Sequence, residues 1–474
     1  MSGDSASAHF ATHLNESDAL LWSIERDPHL RTTIVAISLL DESPDWDRYR
    51  SRMEDACRVV PRLRQKVAET PLRIGPPRWQ FDNDFDIDFH LRRMVVPAPG
   101  DIQALLDLAA PIAMAAFDKD RPLWEFTLVE GLEDGQAALI QKVHHAFTDG
   151  VGGIKLAQLV LDERRHPAAM PVHEDGADEA AVSPLTSAIE SMAHDVRAAG
   201  RFTLRSARSL PGLTTAMMTH PSEMVGAGIR GVKSIGKLLA PVTTPLSPVM
   251  TGRSLSRRLG AFDVPFEAMH RAAHAADSTV NDAFLASVTG GLRRYHLLHD
   301  QAPEALRVTM PINLRSAGDG LGNNKFVPAR LAIPINEPDP VERMHQLGAL
   351  ARSWRKEPAL PLTEVIAGAL NRLPVQATTS IFGSMLKAID FVATNVPGIP
   401  RRAYLAGAEV TREYAFAPPS GAAFSIALLS HHDQCCIGVN MDAAAVPDPE
   451  ALMRCLREGF DEVVAVGAKS GARS

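Results

Sequence analysis

The spacing of apolar positions changes character twice along this chain, and each change marks a boundary. In the first region, to about residue 165, Asn15 precedes Ala19, Leu20, Trp22 and Ile24, which predicts a helix over 15–26. The β-branched apolar run at 32–40 (TTIVAISLL) predicts a buried strand. Trp46–Val59 predicts a helix, closed by Pro61. Residues 123–129 and 137–144 predict two strands joined across Glu133-Asp134-Gly135, a glycine-containing hairpin turn. Helical spacing returns at 152–161. Strands and helices without strict βαβ alternation predict layered α/β with a largely mixed sheet.

The second region, 166–260, opens on the acidic, Pro- and Ala-rich string MPVHEDGADEAAVSP, which reads as a mobile linker. From 197 onward the charge inverts. Arg197, Arg201, Arg205, Arg208, Arg230, Lys233, Lys237, Arg253, Arg257 and Arg258 stand against Glu223 alone. The spacing puts the first four arginines on one helical face. Arg230, Lys233 and Lys237 share another, opposite Ile229, Val232, Ile235 and Leu239. The third region, 261–474, has its own signals: a capped helix at 281–295 and strands at 306–312, 327–335, 424–430 and 435–440.

Composition narrows the class. A chain of 474 residues exceeds one ordinary core, so 1–165 and 261–474 are expected to be domains joined by 166–260. Hydrophobic residues at 45% and charged residues at 22% fit a soluble globular protein. A net charge of −7 gives no overall basic character, so nucleic acid is not expected as a partner. Cys57, Cys435, Cys436 and Cys455 form no CxxC pair and no disulfide framework, which suits a reducing cytoplasm. The first residues lack a basic and an apolar signal region, and no apolar run reaches the roughly 18–20 residues of a spanning helix. Any membrane contact is therefore expected to be peripheral.

The sharpest chemical feature is His144-His145-Ala146-Phe147-Thr148-Asp149-Gly150, placed where a predicted strand ends and a helix begins. A strand end is a firm platform for a reactive side chain. An imidazole titrates near working pH, so it can take a hydroxyl proton during attack on a thioester. Asp149 can hold the turn through an ion pair while Gly150 takes an unusual backbone angle. A bare histidine pair is more often two partly buried rings at a strand end. The complete string between strand and helix favours catalysis.

HHAFTDG resembles the HHxxxDG signature of the coenzyme A-dependent acyltransferase superfamily, shared by chloramphenicol acetyltransferases and peptide-synthetase condensation domains. Other segments narrow the resemblance to the bacterial wax ester synthase/diacylglycerol acyltransferase family. Arg121-Pro122-Leu123-Trp124-Glu125 resembles its PLW motif and Val280-Asn281-Asp282 its ND motif. Pro311-Ile312-Asn313-Leu314-Arg315 resembles its PxSxR segment, Leu321-Gly322-Asn323 its LGN and Asn395-Val396-Pro397-Gly398 its NVPG. The matches are collinear over nearly the whole chain. Departures are Pro28-His29-Leu30-Arg31 in place of a PMH-like string, Asn313 in place of the serine, and NVPGIP in place of NVPGP. They bear more on substrate choice than on chemistry.

The resemblance implies an α/β (α+β) fold of two chloramphenicol-acetyltransferase-like domains, a V-shaped pseudo-dimer with a central tunnel. It implies His145 as general base, with His144 beside it. It implies a structural Asp149 bonded to an arginine, for which Arg315 is the candidate. Asn281 and Asp282 would support the tunnel wall. The implied donor is long-chain acyl-CoA, a co-substrate and not a bound cofactor, and the scheme needs no metal. The implied acceptor is diacylglycerol or a fatty alcohol, met at an anionic membrane or lipid-droplet surface. The rival readings are a related transferase acylating another alcohol or a polyketide, and a non-catalytic lipid- or acyl-CoA-binding paralogue.

Three weaker candidates have bland readings. Ser430-His431-His432-Asp433 lies between two predicted strands and reads as a hairpin turn. Asp82, Asp84, Asp86 and Asp88 alternate as on one exposed strand face, without the glycine and glutamate of a calcium loop. Gly152-Gly153 lacks the Lys and Ser/Thr of a phosphate loop. Trp124 is expected to be core packing beneath the site.

Overall fold

The computed structural model describes residues 12–69, 76–148, 150–166, 244–313, 326–355, 367–368 and 370–471. Its strands in the first half are β1 (Thr33–Leu40), β2 (Gln65–Ala68), β3 (Arg78–Phe81), β4 (Leu91–Val95), β5 (Trp124–Glu130), β6 (Ala137–His144) and β7 (Leu161–Asp162). Those that follow are β8 (Arg257–Pro265), β9 (Ala305–Asn313), β10 (Phe326–Pro334), β11 (Phe391–Val396), β12 (Tyr404–Leu405), β13 (Ala408–Phe416), β14 (Phe424–His431) and β15 (Gln434–Asp442).

The strands form a seven-stranded sheet, β4-β5-β6-β1-β13-β12-β7, a six-stranded sheet, β10-β9-β11-β14-β15-β8, and the small β2-β3 pair. Both large sheets are mixed, as expected: β4 runs parallel to β5, and β11 runs parallel to β9 and β14. β12 and β13, from the C-terminal half, lie in the first sheet, with β13 antiparallel to β1. The boundary read at residue 261 is thus crossed by the chain.

Local chemistry explains the elements around the site. The Glu16–Ile24 helix starts on Asn15, whose side chain accepts the Asp18 N–H. Trp46–Val59 starts on Asp45 in the same way. Ile102–Met114 buries Leu105, Leu106 and Ala109 in a core shared with Leu259 and Cys436, so this helix ties the first sheet to the second. The Glu133–Gly135 turn joins β5 to β6 as expected, with φ positive at Asp134 and Gly135.

One expectation is overturned. The aspartates at 82–88 do not alternate along a strand. The chain turns after β3, the Asp86 side chain caps the short Ile87–His90 helix, and Asp88 pairs with Arg50 at 2.6 Å. Asx-type capping of a turn competes with strand pairing for such residues. Among the described residues no group of His, Cys, Asp or Glu is placed to hold a metal ion. Among them, too, no helix is long and apolar enough to cross a membrane.

Candidate active site

The strand pairing brings the histidine string to a fixed place. β1 lies between β6 and β13, with Thr33 opposite His144. The backbone continues the pairing past the strand end: the His145 N–H donates to the Thr32 carbonyl at 3.1 Å. The Phe147 N–H then donates to the His144 carbonyl at 2.9 Å, which turns the chain toward the Gly150–Val160 helix. From the other side, the His144 N–H donates to the Leu123 carbonyl at 3.1 Å. The Pro122-Leu123-Trp124 segment therefore clamps the string. Trp124 is wholly buried, donates from Nε1 to the Leu63 carbonyl at 2.8 Å and stacks on His90 at 4.4 Å. It is core packing, as expected.

The two histidines have opposite surroundings. His144 is 1% exposed, edge-on to Trp22 and Phe117. Its Nδ1 accepts the Ala146 N–H at 3.0 Å, so its proton sits on Nε2, which lies 2.9 Å from Glu25 Oε1. The same Glu25 oxygen accepts the Thr32 N–H at 2.6 Å and the Thr32 hydroxyl at 2.8 Å. Burial alone would raise the Glu25 carboxyl, but the neighbouring His144 and the hydrogen bonds of Thr32 hold it down at about 2. Glu25 thus fixes the sealed imidazole and Thr32, whose carbonyl holds His145. Nothing in the local sequence marks Glu25, which is 119 positions from His144 and joined to it only by the fold.

His145 is only partly buried. In a strand, alternate residues face opposite sides. Gln141 and Val143 of β6, just before His145, line an apolar cavity together with Phe147, Thr148, Gly153 and Ile154. The cavity has a core of about 100 Å³, or about 890 Å³ when its open mouth and the space between side chains are included. Ile34 and Ala36 of β1 and Met53 and Ala56 of the Trp46–Val59 helix also line it, as do Val396 of β11 and Leu429 of β14. On the opposite face, Lys142 is buried against Glu125 at 3.4 Å, and burial lowers its pKa.

The remaining expected residues fall in several places. Asp149 and Arg315 lie outside the described residues, as do Leu321-Gly322-Asn323. Gly150 opens the Gly150–Val160 helix. Asn313 ends β9, opposite Phe326 of β10. Asp282 is buried and forms a reciprocal cap with Thr279 at the start of the Val280–Leu298 helix. Its Oδ2 accepts the Thr279 N–H at 3.0 Å and hydroxyl at 2.7 Å, while Asn281 beside it is half-buried. Gly398 donates its N–H to Ser430 Oγ at 3.2 Å, and a Cβ there would meet the Ser430 carbonyl at 2.1 Å, so only glycine fits. This approach sets the end of β11, where Val396 enters the cavity wall. His432 and Asp433 form the β14–β15 turn, as expected.

Set against known families, residues 14–284 match the wax ester synthase/diacylglycerol acyltransferase catalytic domain, and residues 322–463 match the WS/DGAT C-terminal domain. A relative from Mycobacterium tuberculosis strain H37Rv, named as a diacylglycerol O-acyltransferase, is 36% identical over 100% of this chain and 96% of its own. A second from that strain, named as the diacylglycerol O-acyltransferase tgs1, is 26% identical, covering 96% of each chain. Among solved structures, the wax ester synthase/diacylglycerol acyltransferase from Marinobacter aquaeolei VT8 aligns with TM-score 0.63 at 22% identity, covering 97% of this chain and all of that one. The starter condensation domain of rhizomide synthetase, solved with C8-CoA, aligns with TM-score 0.56 at 12% identity, covering 96% and 94%. The expected two-domain, chloramphenicol-acetyltransferase-like α/β fold is the fold of these structures.

Proposed function

Because the chain belongs to the wax ester synthase/diacylglycerol acyltransferase family, we propose that His145 is the general base of its acyl transfer. The chain is an acyltransferase of the diacylglycerol O-acyltransferase/wax ester synthase type. In the proposed reaction, His145 takes the proton of the acceptor hydroxyl as its oxygen attacks the thioester carbonyl of a long-chain acyl-CoA. The tetrahedral oxyanion collapses, the C–S bond breaks, and the coenzyme A thiolate leaves and recovers the proton. Diacylglycerol as acceptor gives triacylglycerol; a fatty alcohol gives wax ester. General-base help of this kind is worth about 10²–10⁴-fold. Asp149 acts through the turn, with Arg315 as its candidate partner.

One observation carries this reading: of two adjacent imidazoles, one is sealed in the protein, its Nδ1 accepting a backbone N–H and its Nε2 2.9 Å from Glu25, and the other is only partly buried where β6 ends, next to Gln141, Val143, Phe147 and Thr148 of an apolar cavity wall. Purified protein given palmitoyl-CoA should release thiol only with diolein or hexadecanol present, and His145→Ala should release none. Full activity in His145→Ala overturns the assignment. Binding of acyl-CoA without thiol release supports the non-catalytic paralogue.

The substrates are water-insoluble, so the enzyme must meet a lipid surface, proposed here as the cytoplasmic face of an anionic membrane or a lipid droplet. The basic segment 197–258 is the candidate anchor. Arg253 donates to the Gly421 and Ile389 carbonyls, and Arg257 pairs with Asp442 at 3.0 Å. These two serve the fold, which leaves exposed Arg258 and the cations between Arg197 and Lys237, the latter outside the described residues, as the anchor. Each cation near an anionic surface contributes roughly 1 kcal/mol. Reversing Arg201, Arg205 and Arg208 to Glu should cut sedimentation with anionic vesicles. Equal binding by a well-folded variant leaves the segment as a bridge between domains.

A further inference from the structure

The cavity lined by Val143, Phe147 and Thr148 of the histidine-bearing segment has three polar lining residues, Gln141, Thr148 and Glu413. Thr148 belongs to the histidine string, and Gln141 donates to Ser38 Oγ at 3.1 Å. Glu413 is different. It is 4% exposed, and its Oε2 has no hydrogen-bond partner among the described residues. Nδ1 of buried His431 lies 3.8 Å away, too far for a hydrogen bond. His431 Nε2 lies 2.9 Å from the Val410 carbonyl, which can only accept, so that nitrogen carries the proton and Nδ1 presents a lone pair.

Burial raises the Glu413 carboxyl to about 7 and lowers the His431 imidazole, so both groups are shifted toward their neutral forms. A carboxyl buried in apolar walls without a partner is unfavourable unless something in the cavity completes it. Its protonated form can both donate and accept, the bonding pattern that a hydroxyl matches.

The register gives its position. Glu413 lies opposite Ser38, six residues along β1 from Thr32, whose carbonyl holds the His145 N–H. At about 3.3 Å per residue that is roughly 20 Å. An extended chain advances about 1.2 Å per bond, by the reach of a peptide backbone, so the distance spans roughly 15–17 bonds.

We propose that Glu413 is a specificity-determining residue that selects long acyl chains carrying a hydroxyl at or near the far end. This rests on the reading of the chain as an acyl-CoA-dependent transferase. The carboxyl would hydrogen-bond the chain's hydroxyl while the thioester sits at His145. A plain chain of the same length would leave the carboxyl unpartnered, and sites built to bond a substrate hydroxyl discriminate strongly against the analogue that lacks it.

The test compares hexadecanoyl-CoA, 16-hydroxyhexadecanoyl-CoA and 3-hydroxyhexadecanoyl-CoA in the wild type, Glu413→Gln and Glu413→Leu. Wild type should show kcat/KM at least about tenfold higher for the terminal hydroxyl than for the plain chain. The 3-hydroxyl, far from Glu413, should gain nothing. Glu413→Gln should retain most of the preference, because an amide also donates and accepts, and Glu413→Leu should abolish it. In parallel, 16-hydroxyhexadecanoic and hexadecanoic acids should displace a fluorescent fatty acid with the same order, an assay that needs no turnover. Equal displacement by both acids in the wild type, or an unchanged preference in Glu413→Leu, overturns the proposal while leaving acyl transfer intact. The expected order in displacement without thiol release from any acyl-CoA overturns the transferase reading instead.

Discussion

Replacing Glu25 by alanine removes a single carboxylate oxygen that accepts the Thr32 N–H and the Thr32 hydroxyl and lies 2.9 Å from His144 Nε2. The hydroxyl can rotate toward another acceptor, but the N–H and the imidazole proton cannot. Two orphaned buried donors cost about 1–3 kcal/mol each. The depressed carboxyl gives a second route to the magnitude. A fall from 4.5 to about 2 corresponds to roughly 3 kcal/mol favouring the ionised folded form. A loss of about 3 kcal/mol should lower Tm by several degrees. It should also cut transfer by roughly 10²-fold, because Thr32 carries the hydrogen bond that holds His145, and small misplacements of a base cost that much. The sign with pH follows from the lowered folded pKa. The Glu25 contribution is fully present above about 4.5 and is lost as pH falls toward 2, so wild type and Glu25→Ala should converge in stability in acid. Thiol release and chemical denaturation at about pH 7 and pH 3 measure both effects. Wild-type turnover and Tm in Glu25→Ala would refute the reasoning.

His145→Ala should abolish transfer with an unchanged circular dichroism spectrum, whereas His144→Ala should keep some transfer but melt earlier, since its ring is sealed in the core; a reversed pattern exchanges their roles. Asp149→Ala should lower Tm and turnover together, a buried charge pair being worth about 3–5 kcal/mol to break, and Arg315→Ala should match it if it is the partner. Loss of turnover at unchanged Tm would give Asp149 a direct chemical role. Asp282→Ala should cost about 1–2 kcal/mol through its helix cap and leave KM for acyl-CoA little changed, while a raised KM at unchanged Tm would place the carboxylate at the substrate.

Much of the local structure was legible in the sequence because it has local causes. Trp46–Val59 runs as expected between its cap and Pro61, and the expected strand at 137–144 is β6. The strand at 327–335 is β10 shifted by one residue, Phe326–Pro334. The histidine string was legible as well, at the junction of β6 and the next helix. What was not legible depends on distant partners. The aspartates after β3 alternate like a strand face, yet a capped turn satisfies them better. Glu25 looks like one more surface acid at a helix end, and only the fold brings it to His144. Glu413 and His431 become a pair only because β13 joins the first sheet and β14 the second.

The placement of β13 also bears on how the enzyme comes into being. Val35 of β1 pairs with Phe416 of β13, so the edge of β1 away from the histidines stays unpaired until nearly the whole chain has been made. At about 5–20 residues per second, translation leaves that edge open for tens of seconds. An exposed edge flanked by apolar residues invites pairing with other nascent chains. The N-terminal half made alone should therefore be a ward of chaperones and not a small working enzyme. A premature stop well before codon 416 would silence His145 as completely as its own replacement, and two separately made halves would have to exchange a strand before either could act.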